Sequence, residues 1–227
     1  MSLTLSPADY TTLVFDCDGV VLDSNKVKTE AFFQATLPYG EDAAQAMVDY
    51  HVANGGISRY KKFAHFLERI VPVHSADLKG PDLVALLQAY AGHVREGLLS
   101  CDITSGLEVL RRETADARWL IVSGGDQAEL RDVFAQRGIA EWFDGGIFGS
   151  PDTKETILKR ELTPYEYFDN ALFLGDSRYD HLAAASVGLP FVFVSDWTEF
   201  PGWERYCEQH GLITIGSISD LLDLQRT

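Results

Sequence analysis

Aspartates follow two hydrophobic segments that lie far apart in the sequence. Asp16 and Asp18 come directly after the first β-type run, and Asp176 and Asp180 follow a later one. Parallel strands end at the same edge of a sheet, so these four carboxylates can converge there. Grouped carboxylates repel one another unless a cation joins them, and hard oxygen ligands favour Mg²⁺. A single aspartate after a strand is as easily a turn or a helix cap. Two such sites at matching strand ends predict a magnesium centre.

Groups that could bind an anion follow two other strand candidates. Ser123 supplies a hydroxyl, and the glycines after it, Gly124 and Gly125, expose backbone N–H groups. Lys154 lies in the first turn of a predicted helix, where a cation opposes the helix dipole and is stabilised by an anionic partner. Taken singly, Ser-Gly-Gly is an ordinary turn sequence and Lys154 an ordinary surface lysine. Their order along the chain, each at a strand end, predicts an anion site beside the carboxylates.

Short strands that alternate with amphipathic helices must position these residues. The strand candidates are Thr11–Phe15, Trp119–Val122, Gly146–Phe148, Ala171–Leu174 and Pro190–Val194. The helix candidates between them are Gln127–Gln136, Thr153–Glu161 and Asp180–Val187. Asp152 is placed to cap the second of these helices. The alternation predicts an α/β fold with a Rossmann-like, doubly wound parallel sheet that is buried on both faces.

A helical segment interrupts this alternation directly after the first strand. Its helix candidates are Val27–Leu37, Asp42–Val52, Ser58–Val71 and Pro81–Leu99. Pro81 suits the first turn of its helix. We therefore divide the chain into a core of residues 1–23 and 100–227 and a helical insert of residues 24–99. An insert at the carboxyl end of a strand lies over the crevice in which open α/β sheets bind ligands, so it is expected to act as a lid.

The combination of these features resembles the haloacid dehalogenase superfamily. That family has four motifs at strand ends, and the residues that match them in order are Asp16-Cys-Asp18-Gly-Val20, Ser123, Lys154, and Gly175-Asp176 with Asp180. The insert after the first motif is similar to the family's α-helical cap. The resemblance covers the whole chain and rests on the combination, because none of these elements is specific alone.

The resemblance implies a phosphoryl-transfer mechanism. Asp16 would be the nucleophile that forms an aspartyl-phosphate. Asp18 would protonate the leaving alkoxide and then deprotonate the attacking water. An aspartate at this second position is similar to the phosphotransferase branch of the family, since the dehalogenases lack it.

The resemblance also assigns the remaining site residues. Mg²⁺ would be held by the Asp16 carboxylate, the backbone carbonyl of Asp18 and Asp176, with Asp180 acting through water or Lys154. Ser123, Gly124 and Lys154 would balance the charge of the phosphoryl group. The residues that match these roles are Asp16, Asp18, Asp176 and Asp180 for the metal, and Ser123, Gly124 and Lys154 for phosphate.

Two cap residues are candidates for substrate binding. The sequence Gly56-Ile-Ser-Arg59 resembles the cap loop of β-phosphoglucomutase-like members, in which the matching arginine contacts a substrate phosphate, while Ser58 is expected to cap a helix. Lys28 stands where the mutase has a histidine tied to hexose turnover, and this departure favours a plain phosphatase. Alternatively, Lys28 and Arg59 belong to solvated helix faces, which is the interpretation favoured for Lys61 and Lys62.

Composition excludes several other classes of protein. The 227 residues are 46% hydrophobic with a net charge of −15, so the chain is globular and its acidity disfavours nucleic acid and anionic lipid as partners. No apolar run approaches the ~20 residues of a membrane helix, and the first residues lack the features of a signal peptide. Three scattered cysteines form neither a disulfide framework nor a zinc site, and Cys17 is expected to be a small buried hydrophobe. These features predict a soluble, cytoplasmic protein, and they leave open whether it is a monomer or a homodimer.

The function predicted is that of a Mg²⁺-dependent phosphatase acting on a small phosphorylated metabolite through an aspartyl-phosphate. A phosphomutase is the nearest alternative, since it transfers the phosphoryl group to a second hydroxyl instead of water. Phosphonate C–P cleavage would need an imine-forming cap lysine, a role that the sequence assigns to neither Lys28 nor Lys61. A non-catalytic phosphate-binding member of the fold is the alternative from another class.

Overall fold

A parallel sheet forms the centre of the molecule in the computed structural model, which describes residues 6–162 and 170–223. Within those residues the sheet has six strands, listed here with their bounds: β1 (Thr12–Phe15), β2 (Arg118–Asp126), β3 (Gly146–Ser150), β4 (Ala171–Gly175), β5 (Phe191–Val194) and β6 (Ile213–Ile215). Their order is β3-β2-β1-β4-β5-β6. The order reverses at β1, between β2 and β4, and such a switch point is where open α/β sheets bind ligands. The prediction of an α/β, Rossmann-like sheet is confirmed.

Both faces of the sheet are buried, and this explains the continuous apolar runs in the sequence. Successive strand residues point to opposite faces, so Leu13 and Phe15 of β1 enter one hydrophobic cluster while Val14 enters the other. In register, Phe15 is paired with Ile121 of β2 and with Leu174 of β4. The residues that follow these three strands therefore emerge side by side at one edge.

The helices of the insert follow β1 directly. They are α1 (Asn25–Thr36), α2 (Glu41–Ala53), α3 (Arg59–His65), α4 (Val71–His74) and α5 (Leu83–Ser100). A π-helical turn at Phe66–Ile70 joins α3 to α4, and α1 packs against α2 and α5. We call this group of helices the cap. The limits predicted for it, residues 24 and 99, stay a prediction.

The remaining helices flank the sheet. They are α6 (Leu107–Glu113), α7 (Gln127–Gln136), α8 (Lys154–Leu162), α9 (Arg178–Ser186), α10 (Trp203–His210) and α11 (Ile218–Asp223). The sequence interpretation missed α6, β6, α10 and α11. The polar stretch before Ile213 hides the last strand. No helix in the described part of the chain is long and apolar enough to span a membrane.

Two predictions about the residues that begin helices, Asp152 as a cap and Pro81 in a first turn, are wrong. The first turn of α8 is capped by Thr153, whose Oγ1 accepts the Thr156 N–H at 3.3 Å, whereas Asp152 forms an ion pair with Arg160 at 2.6 Å. Pro81 lies before α5 and not in its first turn, since the Asp82 carboxylate caps that helix through the Ala85 N–H at 2.9 Å. In both cases the side chain that reaches the free N–H groups decides where the helix begins.

Candidate active site

Three buried carboxylates meet at the carboxyl ends of β1 and β4. Oxygens of Asp16, Asp176 and Asp180 lie within 4.8 Å of one another. Burial, together with repulsion from Asp180, raises the pKa of Asp16 to about 7. Burial and the charges of Asp16 and Asp180 raise the pKa of Asp176 well above its ordinary value. A divalent cation would relieve this repulsion, and the donors are the hard oxygens that Mg²⁺ prefers, so the residues present fit such an ion.

Lys154 reaches this cluster from the first turn of α8. Its Nζ lies 2.8 Å from the Asp16 carboxylate and forms a second ion pair with Asp180. Burial alone would lower the pKa of this lysine, but the two carboxylates outweigh it and raise the pKa. Asp180 is also held by Ser177, in a capping box at the start of α9. The residue is therefore fixed beside Lys154, which is one of the two arrangements that the resemblance implied.

Asp18 lies outside the cluster and faces the cap. Ser24 donates a hydrogen bond to its Oδ1 at 2.6 Å, and Lys28 of α1 forms an ion pair with its other oxygen. Burial would raise the pKa of Asp18, but the charge and hydrogen bond of Lys28 outweigh burial and the pKa is lowered.

The turn after β1 depends on glycine and on a buried cysteine. Gly19 has a φ of +77°, and a Cβ there would overlap the Asp176 carboxylate and Asn25. Cys17 is fully buried, as predicted, and its backbone N–H donates to Asp16 Oδ1 at 2.7 Å. The backbone therefore helps to orient the Asp16 carboxylate at the strand end.

Ser123 and Gly124 lie at the end of β2, against the cap. The Ser123 hydroxyl accepts the Gly125 N–H at 3.0 Å, and the Gly124 carbonyl accepts the Ser150 hydroxyl at 2.7 Å. A Cβ on Gly124 would overlap the backbone carbonyl of Gly56, which belongs to the cap loop. This contact brings the predicted anion-binding loop directly under the cap.

Most of the predicted site residues share one cavity between the cap and the core. Those that line it are Asp16, Asp18, Lys28, Arg59, Gly124 and Asp176. Lys154 lines a neighbouring cavity, which shares Gly56 and Gly124 with the first. Ser123 and Asp180 are buried and line neither cavity. The structure thus brings the carboxylates and the two cap cations to one place.

Arg59 joins the cap to the core at this cavity. Its guanidinium forms a two-oxygen ion pair with Glu129 of α7 and stacks over the Tyr90 ring at 4.6 Å. The next residue, Tyr60, donates its hydroxyl to Asp126 at 2.7 Å. Ser58 caps α3, as predicted, by accepting the Tyr60 N–H. Arg59 is therefore already paired with a core carboxylate in this structure.

The sequence interpretation missed residues on this cavity. Lys62 was assigned to a solvated face, which is wrong: its side chain is 1% exposed, and its Nζ lies 2.5 Å from His51 Nδ1. Its position three residues after Arg59 in α3 is the signal that places both on one face of the helix. Asn25 was also missed; it donates to Asp176 Oδ2 at 2.7 Å and to the Trp197 carbonyl at 2.8 Å.

Sequence comparison decides the family. The model of the haloacid dehalogenase-like hydrolases matches residues 10–188, which include all four motifs and the cap. The chain belongs to this family. The predicted resemblance is confirmed, and with it the assignment to a class of hydrolytic enzymes. None of the curated proteins matches the sequence significantly.

Solved structures show the same fold at low sequence identity. A haloacid dehalogenase-like family hydrolase from Streptococcus pneumoniae is 19% identical with a TM-score of 0.68, the alignment covering 96% of this chain and 99% of that one. A predicted phosphoglycolate phosphatase from Haemophilus somnus is 16% identical with a TM-score of 0.70 over 95% and 98%. The β-phosphoglucomutase of Clostridium difficile is 15% identical with a TM-score of 0.68 over 96% and 97%.

Proposed function

We propose that the protein is a Mg²⁺-dependent phosphatase that hydrolyses a small phosphomonoester through a phosphorylated Asp16. The observation that carries this proposal is the arrangement around Asp16. Its carboxylate lies at a strand end beside Asp176, Asp180 and the Lys154 ammonium, and Asp18 follows two residues later. A carboxylate, a metal-binding cluster and a buried cation at one point are the groups that phosphoryl transfer requires.

Asp16 and Asp18 would share the two chemical steps. In the first, a carboxylate oxygen of Asp16 bonds to phosphorus while the bond to the leaving oxygen breaks, and Asp18 gives that oxygen a proton. In the second, Asp18 takes a proton from water, the water oxygen bonds to phosphorus, and the bond to Asp16 breaks. Lys28, which is hydrogen-bonded to Asp18, holds this carboxylate in place.

The other residues would stabilise charge. Asp16 and Asp176, with the Asp18 backbone carbonyl, are the ligands proposed for Mg²⁺, and Asp180 would act through Lys154. The bound ion would supply electrostatic stabilisation of the phosphoryl oxygens. Ser123, the backbone N–H groups at Gly124 and Lys154 would bind the same oxygens and keep the group in line for attack.

The cap would bind the part of the substrate beyond the phosphoryl group. Lys28 and Arg59 line the cavity above Asp18, so both are proposed to contact the leaving group or the residues that hold it. Since Arg59 is paired with Glu129, a substrate anion would have to share its guanidinium. Closure of the cap over Asp16 would also exclude bulk water from the first step.

Phosphate release tests the proposal. A panel of sugar, glycolyl, glyceryl and nucleoside monophosphates is incubated with the protein, with and without Mg²⁺, beside Asp16→Asn and the control Asp77→Asn, which removes a charge from an exposed loop. We expect release from a subset of the panel, lost in Asp16→Asn and in the absence of Mg²⁺, and retained in Asp77→Asn. Isomerised product that retains its phosphate would establish a mutase instead. Release by Asp16→Asn at the wild-type rate would refute the nucleophile.

A further inference from the structure

Lys62 differs from the other two cations of the cap that line the cavity. Lys28 is paired with Asp18, and Arg59 with Glu129. Among the described residues, Lys62 makes no ion pair, and its Nζ is hydrogen-bonded only to the ring and the backbone carbonyl of His51. The same amine lies 5.5 Å from the centre of the Phe32 ring. It is therefore a buried, cavity-lining amine that lacks a carboxylate.

The surroundings of Lys62 explain why this amine is short of a counter-ion. Lys28 on α1 and Lys154 on α8 oppose its charge, while Asp18 and Glu199 favour it from the loops after β1 and β5. Those two carboxylates are engaged elsewhere, Asp18 with Lys28 and Glu199 with the Thr29 hydroxyl at 2.6 Å.

Two neutral groups complete the surroundings of Lys62. His51 on α2 contacts it directly, and its pKa is lowered well below the ordinary value by burial and by Lys62, so its ring is neutral. Tyr90 on α5 lines the same cavity, and burial raises its pKa to about 12. Burial, more than any neighbouring charge, lowers the pKa of Lys62 itself to about 7.

We propose that Lys62, supported by His51, is the subsite for a carboxylate carried by the leaving group, so that the substrates are phosphomonoesters of hydroxy acids. The inference rests on the proposed phosphatase function and specifies its substrate class. One lysine supplies one positive charge, which a carboxylate monoanion matches, whereas a second phosphate group would bring nearly two negative charges. A buried amine beside a neutral imidazole gains its missing ion pair only when such a ligand arrives. A neutral alcohol as leaving group would leave this amine without a counter-ion.

Matched pairs of substrates test the subsite. The pairs differ only in a carboxylate against a hydroxymethyl group: phosphoglycolate with ethylene glycol monophosphate, 3-phosphoglycerate with glycerol 1-phosphate, and 6-phosphogluconate with sorbitol 6-phosphate. The wild type should prefer the acid of at least one pair by about 10- to 100-fold in kcat/KM, as expected for a hydrogen bond to a charged group. Lys62→Met should reduce this preference to within about threefold, mainly through KM for the acid. Lys61→Met, the exposed neighbour on the same helix, should retain the full preference.

A binding measurement separates this inference from the phosphatase function. Lysine labelled with ¹³C at Cε is followed by NMR in Asp16→Asn, and the Lys62 resonance is assigned by its loss in Asp16→Asn/Lys62→Met. Adding the preferred acid should move the titration midpoint of Lys62 upward by at least one pH unit, whereas the matching alcohol should leave it in place. If no phosphomonoester is hydrolysed but this shift occurs with one of the acids, the subsite holds and the phosphatase proposal fails.

Several results would overturn the subsite. Equal rates for acid and alcohol in every pair would do so, as would a preference that survives Lys62→Met. A bisphosphate that binds through Lys62 more tightly than every acid would mean that the subsite is built for a second phosphate. Covalent trapping of Lys62 by a phosphorylated aldehyde and borohydride, with no dependence on carboxylates, would show a nucleophilic amine instead of a cation.

Discussion

Replacing Lys62 by methionine should make the protein more stable at neutral pH, and the gain should depend on pH in a defined way. The ammonium group is buried between the cap helices, and its only polar partners in the described chain are the ring and the backbone carbonyl of His51. A folded protein below pH 7 must keep this charge out of water, which costs free energy. Methionine fills a similar volume and carries no charge, so the variant avoids that cost.

The pKa gives the size of the effect. Lys62 has a pKa of about 7 in the folded protein and an ordinary value of 10.5. Since the unfolded chain binds the proton more tightly, the cost is complete below pH 7 and disappears as the pH rises through 10.5. At about 1.36 kcal/mol per pKa unit, the buried charge costs roughly 5 kcal/mol at pH 6 and about 2 kcal/mol at pH 9. The methionine leaves His51 Nδ1 without a partner, a loss of about 1–3 kcal/mol that does not depend on the protonation of Lys62.

Urea denaturation at pH 6 and pH 9 measures the difference. We expect the free energy of unfolding of Lys62→Met to exceed that of the wild type by about 2–4 kcal/mol at pH 6. At pH 9 this difference should be smaller by roughly 3 kcal/mol. Lys61→Met, at an exposed site, should show the same small difference from the wild type at both values. A variant that is destabilised at pH 6, or whose advantage does not change with pH, would refute a buried amine that is costly to protonate.

The other predictions concern the metal, the cap and its contacts with the core. Addition of Mg²⁺ should raise the melting temperature of the wild type, because the ion relieves repulsion around Asp16, and chelation should reverse the rise in a thermal scan; no response would argue against the metal site. Gly124→Ala should raise KM on the order of tenfold or more, since the new Cβ displaces the Gly56 carbonyl and with it the cap loop, while an unchanged KM would mean that this contact does not position the cap. Glu129→Gln should lower the free energy of unfolding by about 1–3 kcal/mol, because it leaves the Arg59 guanidinium buried with a neutral partner. Urea denaturation measures this difference, and an unchanged free energy of unfolding would mean that the ion pair does not stabilise the fold.

Local sequence determined the sheet and the positions of its functional residues. The runs around Val14 and Phe173 are apolar without alternation because both faces of the sheet are covered, and that pattern alone predicts buried parallel strands. The aspartates that follow β1 and β4 then meet because parallel strands end at one edge. Lys154 reaches the same place because the strand before it ends at the same edge of the sheet. The order of the motifs along the chain indicates this arrangement without any knowledge of side-chain positions.

Helix starts and the short last strand were harder to predict from the sequence. Asp152 and Thr153 are both good capping residues, and the choice between them depends on which side chain reaches the first N–H groups and which pairs with Arg160. The strand at Ile213 is three residues long, and its identity comes from pairing with β5 more than from its own sequence. Such elements depend on neighbours that are distant in the chain.

The amino-acid sequence by itself determined the family motifs, the strand ends at which they lie and the presence of a helical cap. Only the tertiary structure decided which cations of the cap are paired with a carboxylate. Arg59 and Lys62 are both basic residues near the start of one helix, and the sequence interpretation made Arg59 a substrate-binding candidate while it placed Lys62 on a solvated face. Packing gives Arg59 a carboxylate from α7 and gives Lys62 only the ring and the backbone carbonyl of His51 from α2. Burial and the pairing of charges across elements are properties of the folded chain, because they depend on contacts between residues that no local pattern relates.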